Sequence, residues 1–157
     1  MTFNRHKEDE LEFICDIPAE SEGPPKHRHP LQSETFEVLE GVLILHAGKK
    51  KRILKKGQSS TVAANTIHTY TTPNKEAVKF KATLKPALQS EWQFREIFAS
   101  CNRRNSDQPN PVEAAYIIHA VDGDYALTGF LRILQIMLFP VLAFAGKIAG
   151  VIKVKPL

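Results

Sequence analysis

The spacing of apolar and polar positions changes character at Pro86. Before it the period is two; after it, about 3.6. Leu11, Phe13, Cys15 and Ile17 form one face of a first strand, and Glu34, Phe36 and Val38 share a face of another. Gly41 precedes Val42 to Leu45, an apolar run that predicts a strand packed on both sides. Gly57 to Val62 and Thr66 to Thr72 predict two more strands, with His68, Tyr70 and Thr72 on one side of the second. Ala77 to Leu84 (AVKFKATL) alternates cleanly and ends the β-rich part.

Beyond Pro86, Ser90 with Gln93 three residues on predicts a capping box. Phe94, Ile97, Phe98 and Cys101 then make an apolar stripe on a helix to about Asn102. Residues 103–109 are polar and predict a loop. Asn110, Pro111 and Glu113 supply cap, first-turn proline and acidic third position for a second helix to about Val121, stopped by Asp122-Gly123-Asp124. Ala126 to Ile152 is apolar for roughly the length of a bilayer span, but it contains Arg132 and Gln135, and Pro140 breaks its hydrogen-bond ladder. An arginine near mid-span costs on the order of 3 kcal/mol on insertion scales. The favoured reading is two helices, before and after Pro140, whose apolar faces bury against the β-rich part or a second subunit. A membrane span or tail anchor is the reading weighed against it, and a helix lying on a lipid surface is a further one.

Composition narrows the class. With 157 residues, 43% hydrophobic and 24% charged, the chain has an ordinary globular balance and the length for a real core. Cys15 and Cys101 lack metal or redox spacing, which predicts buried thiols in a reducing compartment. The charged start, MTFNRHKEDELEF, has no apolar run of signal-peptide length, so the expected location is cytoplasmic. The net charge of +4 is local: six of the eight residues from Lys49 to Lys56 are basic, leaving 15 basic and 17 acidic residues elsewhere. That run, after Gly48, predicts a hairpin guarded by lysines; no aromatic residues interleave for base stacking, so no nucleic-acid partner is expected.

The chemistry gathers at Gly23 to Gly41, GPPKHRHPLQSETFEVLEG. His27 and His29, one residue apart, point to one side of an extended chain, and Glu34 on the following strand can reach the same place. Gly23, Pro24 and Pro25 stiffen the approach. Two imidazoles and a carboxylate suit iron, manganese, nickel or zinc. His46 is assigned to the surface and His119, outside any ligand spacing, to a structural role.

The spacing HxH, four residues, Glu34, six residues, Gly41 resembles the first motif of the cupin superfamily. GQSSTVAANTIHTYTT, from Gly57 to Thr72, is similar to the second, with His68 at the ligand position. It departs at Ala63, where the family has proline, at Asn65, where the turn has glycine, and at Thr72, where a later asparagine falls. Asn65 tolerates a left-handed backbone at modest cost, while Ala63 loosens the turn. The resemblance implies a mostly β fold, a cupin-type double-stranded β-helix (jelly-roll barrel) followed by a C-terminal α-helical extension, with a barrel domain at 1–86 and three to four helices at 87–157. It implies a divalent metal (Fe, Mn, Ni or Zn) on His27, His29, Glu34 and His68, with Phe36, Val38, Tyr70 and Thr72 lining a substrate pocket.

Four ligands leave about two positions open on an octahedral ion, enough for two small molecules together. The first expectation is therefore a mononuclear non-haem oxygenase resembling the quercetinase-like cupins, acting on a small apolar or aromatic substrate, with Glu34 as both ligand and base. Metal-dependent isomerase or lyase chemistry is the neighbouring alternative. A non-catalytic cupin that binds a small molecule is the alternative from another class, because this scaffold hosts many activities. A homodimer is the expected assembly.

Overall fold

The computed structural model describes residues 2–6, 9–19, 23–73 and 76–154. The chain divides into two compact units, residues 1–88 and 89–157.

The first unit is built from antiparallel strands. They are β1 (Thr2–His6), β2 (Glu10–Ile17), β3 (His27–Arg28), β4 (Ser33–Glu40), β5 (Val42–Ala47), β6 (Lys50–Lys55), β7 (Ser59–Val62), β8 (His68–Thr71) and β9 (Val78–Lys85). One sheet runs β1-β2-β9-β4-β7; in the other, β3-β8-β5-β6 follow one another. The pairs β1–β2, β2–β9, β4–β9, β4–β7, β3–β8, β5–β8 and β5–β6 are all antiparallel. Two such sheets with inward-facing apolar residues make the jelly-roll barrel expected from the sequence.

Alternation decides what fills it. Leu11, Phe13 and Cys15 of β2, Phe36 and Val38 of β4, Leu43 and Leu45 of β5, and Val78, Phe80, Ala82 and Leu84 of β9 are buried. Each large side chain so buried contributes roughly 1.5–3 kcal/mol relative to exposure. The run at Val42 to Leu45 is packed on one side only: Leu43 and Leu45 turn inward, while Val42 and Ile44 are half-buried. The basic run forms β6, an edge strand of its sheet, where lysines discourage pairing with another chain. β1 was not legible in the sequence. Its backbone pairs with β2 from Thr2↔Ile14 to His6↔Glu10, and Phe3 meets Phe13 at 6.2 Å between ring centroids.

The second unit holds α1 (Ser90–Arg104), α2 (Pro111–Ala120), a two-residue strand β10 (Ala126–Leu127), α3 (Phe130–Met137) and α4 (Phe139–Ile148). Asn110 caps α2 as expected, its Oδ1 accepting from Val112 N at 2.9 Å and Glu113 N at 3.3 Å. The capping box expected at Ser90 does not form. Ser90 lies inside the helix, and the cap position is Gln89, which makes no side-chain cap bond. The expected apolar stripe of α1 is not its buried side either. Phe98 is exposed, whereas Ser90, Gln93, Glu96 and Ser100 are buried beside Cys101. One reason lies in α2: Ser100 Oγ donates to Glu113 Oε2 at 2.5 Å, so a polar pair takes an inward position.

The apolar tail divides at Leu138, two residues ahead of the expected break, which places Pro140 in the first turn of α4 where its missing N–H costs nothing. Gln135 is buried. Its Oε1 accepts from Leu127 N at 2.9 Å, and its Nε2 donates to Tyr125 O at 2.9 Å and Asp122 Oδ1 at 3.2 Å. Val121, Tyr125 and Leu127 form a core with Trp92, Ile118 and Phe139. Gly146 lets α4 approach α2, since a Cβ there would stand 2.5 Å from Val112 Cγ1. Among the described residues no single helix is long and apolar enough to cross a membrane; α3 and α4 reach that length only as a pair bent by 43°.

Candidate metal centre

His27 lies directly opposite His68 where β3 pairs with β8. His29 follows β3, and Glu34 projects inward from β4 of the other sheet, opposite Val62 and Leu84. All four side chains are buried. One ligand atom from each of His27, His29, Glu34 and His68 falls within 4.8 Å of all the others. Two segments that look unrelated along the chain thus supply a single constellation of three imidazoles and a carboxylate. Its donor chemistry and compactness fit a divalent ion of the iron, manganese, nickel or zinc type.

The loops that hold these residues are fastened to one another. Asn65 takes the left-handed conformation expected of it, with φ 63°, and its N–H donates to His29 O at 2.7 Å. Thr66 N donates to Ala63 O at 3.2 Å, closing the turn without the proline that the motif usually carries. On the other side, Thr69 Oγ1 donates to Pro24 O at 2.6 Å, and Gly23 lies so near β8 that a Cβ there would stand 2.0 Å from Tyr70 O. Thr69 was missed by sequence reasoning. It sits on the outward face of β8, and no pattern marks an outward threonine as the anchor of a distant loop.

Ring nitrogens are oriented by carbonyls. His27 Nδ1 donates to Pro25 O and His68 Nδ1 to Thr66 O, each at 2.9 Å, which leaves both Nε2 atoms for the interior. His68 Nε2 lies 2.8 Å and His29 Nε2 3.4 Å from Glu34 Oε2. Burial pushes His27 down to about 3, helped by the charge of His68, so its imidazole is neutral at pH 7 with a lone pair to offer. For Glu34, burial acts to raise the carboxyl, but the hydrogen bonds with His29 and His68 outweigh it and hold the group below the usual carboxylate range. Burial likewise acts to lower His68, and the Glu34 hydrogen bond and charge reverse that and raise it. The contact with Glu34 thus favours the proton on His68, and an ion would compete with that proton for Nε2.

Beneath the donors lies an aromatic cluster. Phe36 approaches His68 at 6.2 Å between centroids, Tyr70 at 6.0 Å and Phe80 at 5.7 Å, and Tyr70 meets Phe80 at 5.1 Å. Of the four residues assigned to a pocket, Phe36, Val38 and Thr72 are buried and Tyr70 is half-buried. Phe80, on the strand read cleanly from the sequence, belongs with them and was not singled out. Among the other histidines, His46 is half-buried on the outward side of β5 and His119 is exposed on α2. Cys15 is buried and its thiol is pushed up to about 12, chiefly by burial, which keeps it protonated and unsuited to ligation.

A family model described as "Cupin domain" matches residues 13–84, a stretch that contains all four donors. Among solved structures, an uncharacterized conserved protein with a double-stranded β-helix domain from Klebsiella pneumoniae is 20% identical, with a TM-score of 0.49 over 55% of this chain and 70% of that one. A DMSP lyase from Ruegeria pomeroyi is 19% identical, with a TM-score of 0.47 over 53% of this chain and 41% of that one. A mutant salicylate 1,2-dioxygenase from Pseudoaminobacter salicylatoxidans is 14% identical, with a TM-score of 0.48 over 53% and 24%. Identities this low say nothing of activity. No curated protein matches the sequence.

Proposed function

Because the chain belongs to the cupin superfamily through the domain at residues 13–84, we propose that it binds one divalent metal ion on His27, His29, Glu34 and His68 and acts as a mononuclear non-haem oxygenase. The observation that carries this reading is the meeting of four buried donor atoms within 4.8 Å of one another. A bound ion would supply Lewis-acid and redox chemistry to a small substrate. The rest is the work of the chain. His27 and His68 are turned by the Pro25 and Thr66 carbonyls so that Nε2 faces inward. Among the described residues Glu34 is the one carboxylate at the centre, and its ionised form, held by hydrogen bonds from the histidines, is the candidate to take a proton from substrate. Phe36, Tyr70 and Phe80 pack as an aromatic cluster beside the donors, a lining that favours an apolar or aromatic substrate.

The test begins with the metal content of protein purified without added metal, compared with His68→Ala. Stoichiometric iron, manganese or nickel that disappears in the variant supports the reading; an empty site after anaerobic iron loading removes it. Oxygen uptake against flavonols, diketones and thiols then tests the reaction, and silence across that panel replaces oxygenase with isomerase, lyase or binding chemistry.

A further inference from the structure

The outward side of the second unit is apolar to a degree that a water-facing surface does not explain. Phe130, Ile133 and Met137 of α3 and Val141, Phe144 and Ile148 of α4 are between 53% and 73% exposed. Isolated exposed apolar residues are ordinary, but a continuous row along two successive helices marks a docking face. The inward side is already committed: Gln135 fastens α3 to Leu127, Tyr125 and Asp122, and Gly146 seats α4 on Val112.

Charge indicates what the face meets. From Tyr125 to Leu157 the sequence carries Arg132, Lys147, Lys153 and Lys155 and no aspartate or glutamate. Asp122 answers Arg132 at 2.5 Å, Lys147 Nζ lies 4.7 Å from the centre of the Tyr116 ring, and both Lys147 and Lys153 are exposed. A second copy docked face to face would bring lysines of the same sign around one apolar contact. An anionic lipid surface offers apolar depth and opposite charge together. Neither helix is long enough to span a bilayer by itself. At 8 and 10 residues, α3 and α4 are roughly 12 and 15 Å long against a hydrocarbon core of about 30 Å, and their axes bend by 43°.

We propose that α3 and α4 form an in-plane docking face for an anionic phospholipid surface, with Phe130, Met137, Phe144 and Ile148 entering the acyl boundary and lysines meeting headgroups. This stands apart from the metal centre and does not depend on it. The test is flotation of the full chain with unilamellar vesicles of phosphatidylcholine alone or with about one-third phosphatidylserine. Binding at least about tenfold stronger to the anionic vesicles, and weakened by salt, is the expected result. Phe144→Asp abolishes it, and Lys153→Glu, a change at an exposed position, lowers it by roughly tenfold. If Phe144→Asp does not fold, wild type and Lys153→Glu decide. Absence of flotation, or equal binding to both vesicle types, overturns the proposal. So does a stable dimer that Phe144→Asp splits while the wild type ignores lipid, because the face then belongs to a second copy.

Discussion

His68 Nε2 lies 2.8 Å from Glu34 Oε2, although the two residues sit on strands of different sheets and 34 positions apart. The contact pulls the Glu34 carboxyl below its ordinary range and acts to raise the His68 imidazole, and both are buried. Removing one partner should expose the two functions of the pair separately. His68→Ala deletes a metal donor and leaves Glu34 short of a partner, so metal affinity falls by more than tenfold and the metal-free protein loses about 3 kcal/mol. His68→Gln keeps a donor for Glu34; it should lose metal affinity to a similar degree with a smaller stability cost. Metal titration and urea unfolding of both variants check this.

Gly23→Ala is expected to harm the centre from outside it. A Cβ at that position would stand 2.0 Å from Tyr70 O, backbone that cannot step aside without moving β8. Strain of this kind costs about 1–3 kcal/mol, and the displaced loop carries His27 with it. Both the melting temperature and metal affinity should drop, measured by calorimetry and metal titration. Gly57→Ala is the comparison. Its φ of 79° also disfavours a side chain, but nothing lies within 4 Å of its Cβ direction, so metal affinity should hold.

Phe36→Ala should cost about 3–5 kcal/mol, because Phe36 is fully buried and touches the rings of His68, Tyr70 and Phe80. Phe36→Leu, closer in volume, should cost less than half as much. Chemical denaturation of the two variants checks the order.

In the helical unit, Glu113 accepts from Ser100 Oγ at 2.5 Å, Arg103 Nη2 at 2.9 Å and Lys153 N at 2.8 Å. Burial acts to raise its carboxyl, and these three donors with the charge of Arg103 outweigh that and lower it. A group with a depressed folded value stabilises fully above its unfolded value, near 4.3, and that contribution is lost as pH falls through the folded value. Glu113→Gln should therefore cost about 1–3 kcal/mol at pH 7, and the gap from wild type should close progressively below pH of about 4. Unfolding followed across that range decides it.

The barrel strands were legible because one face of each is wet: Leu11, Phe13 and Cys15, or Val78, Phe80, Ala82 and Leu84, declare themselves at period two. His27, His29 and Glu34 were legible for the same reason, since their shared side follows from alternation, whereas His68 was reached through the resemblance of Gly57 to Thr72 to the second cupin motif. What the pattern could not carry was anything set by a distant partner. The buried side of α1 is polar at Ser100 because Glu113 waits on α2, and the Thr69 bond to Pro24 crosses 45 residues. The tail broke at Leu138 rather than at Pro140 because proline is welcome in a first turn, so the helix begins just before it. β1 escaped because its short charged stretch has no clear alternation and is recruited by pairing with β2.

His27 and His68 hang from one sheet and Glu34 from the other, so the donors straddle the gap between the layers. A cation held by all of them would tie one layer to the other, so loading the site should raise the unfolding temperature of the barrel as a whole.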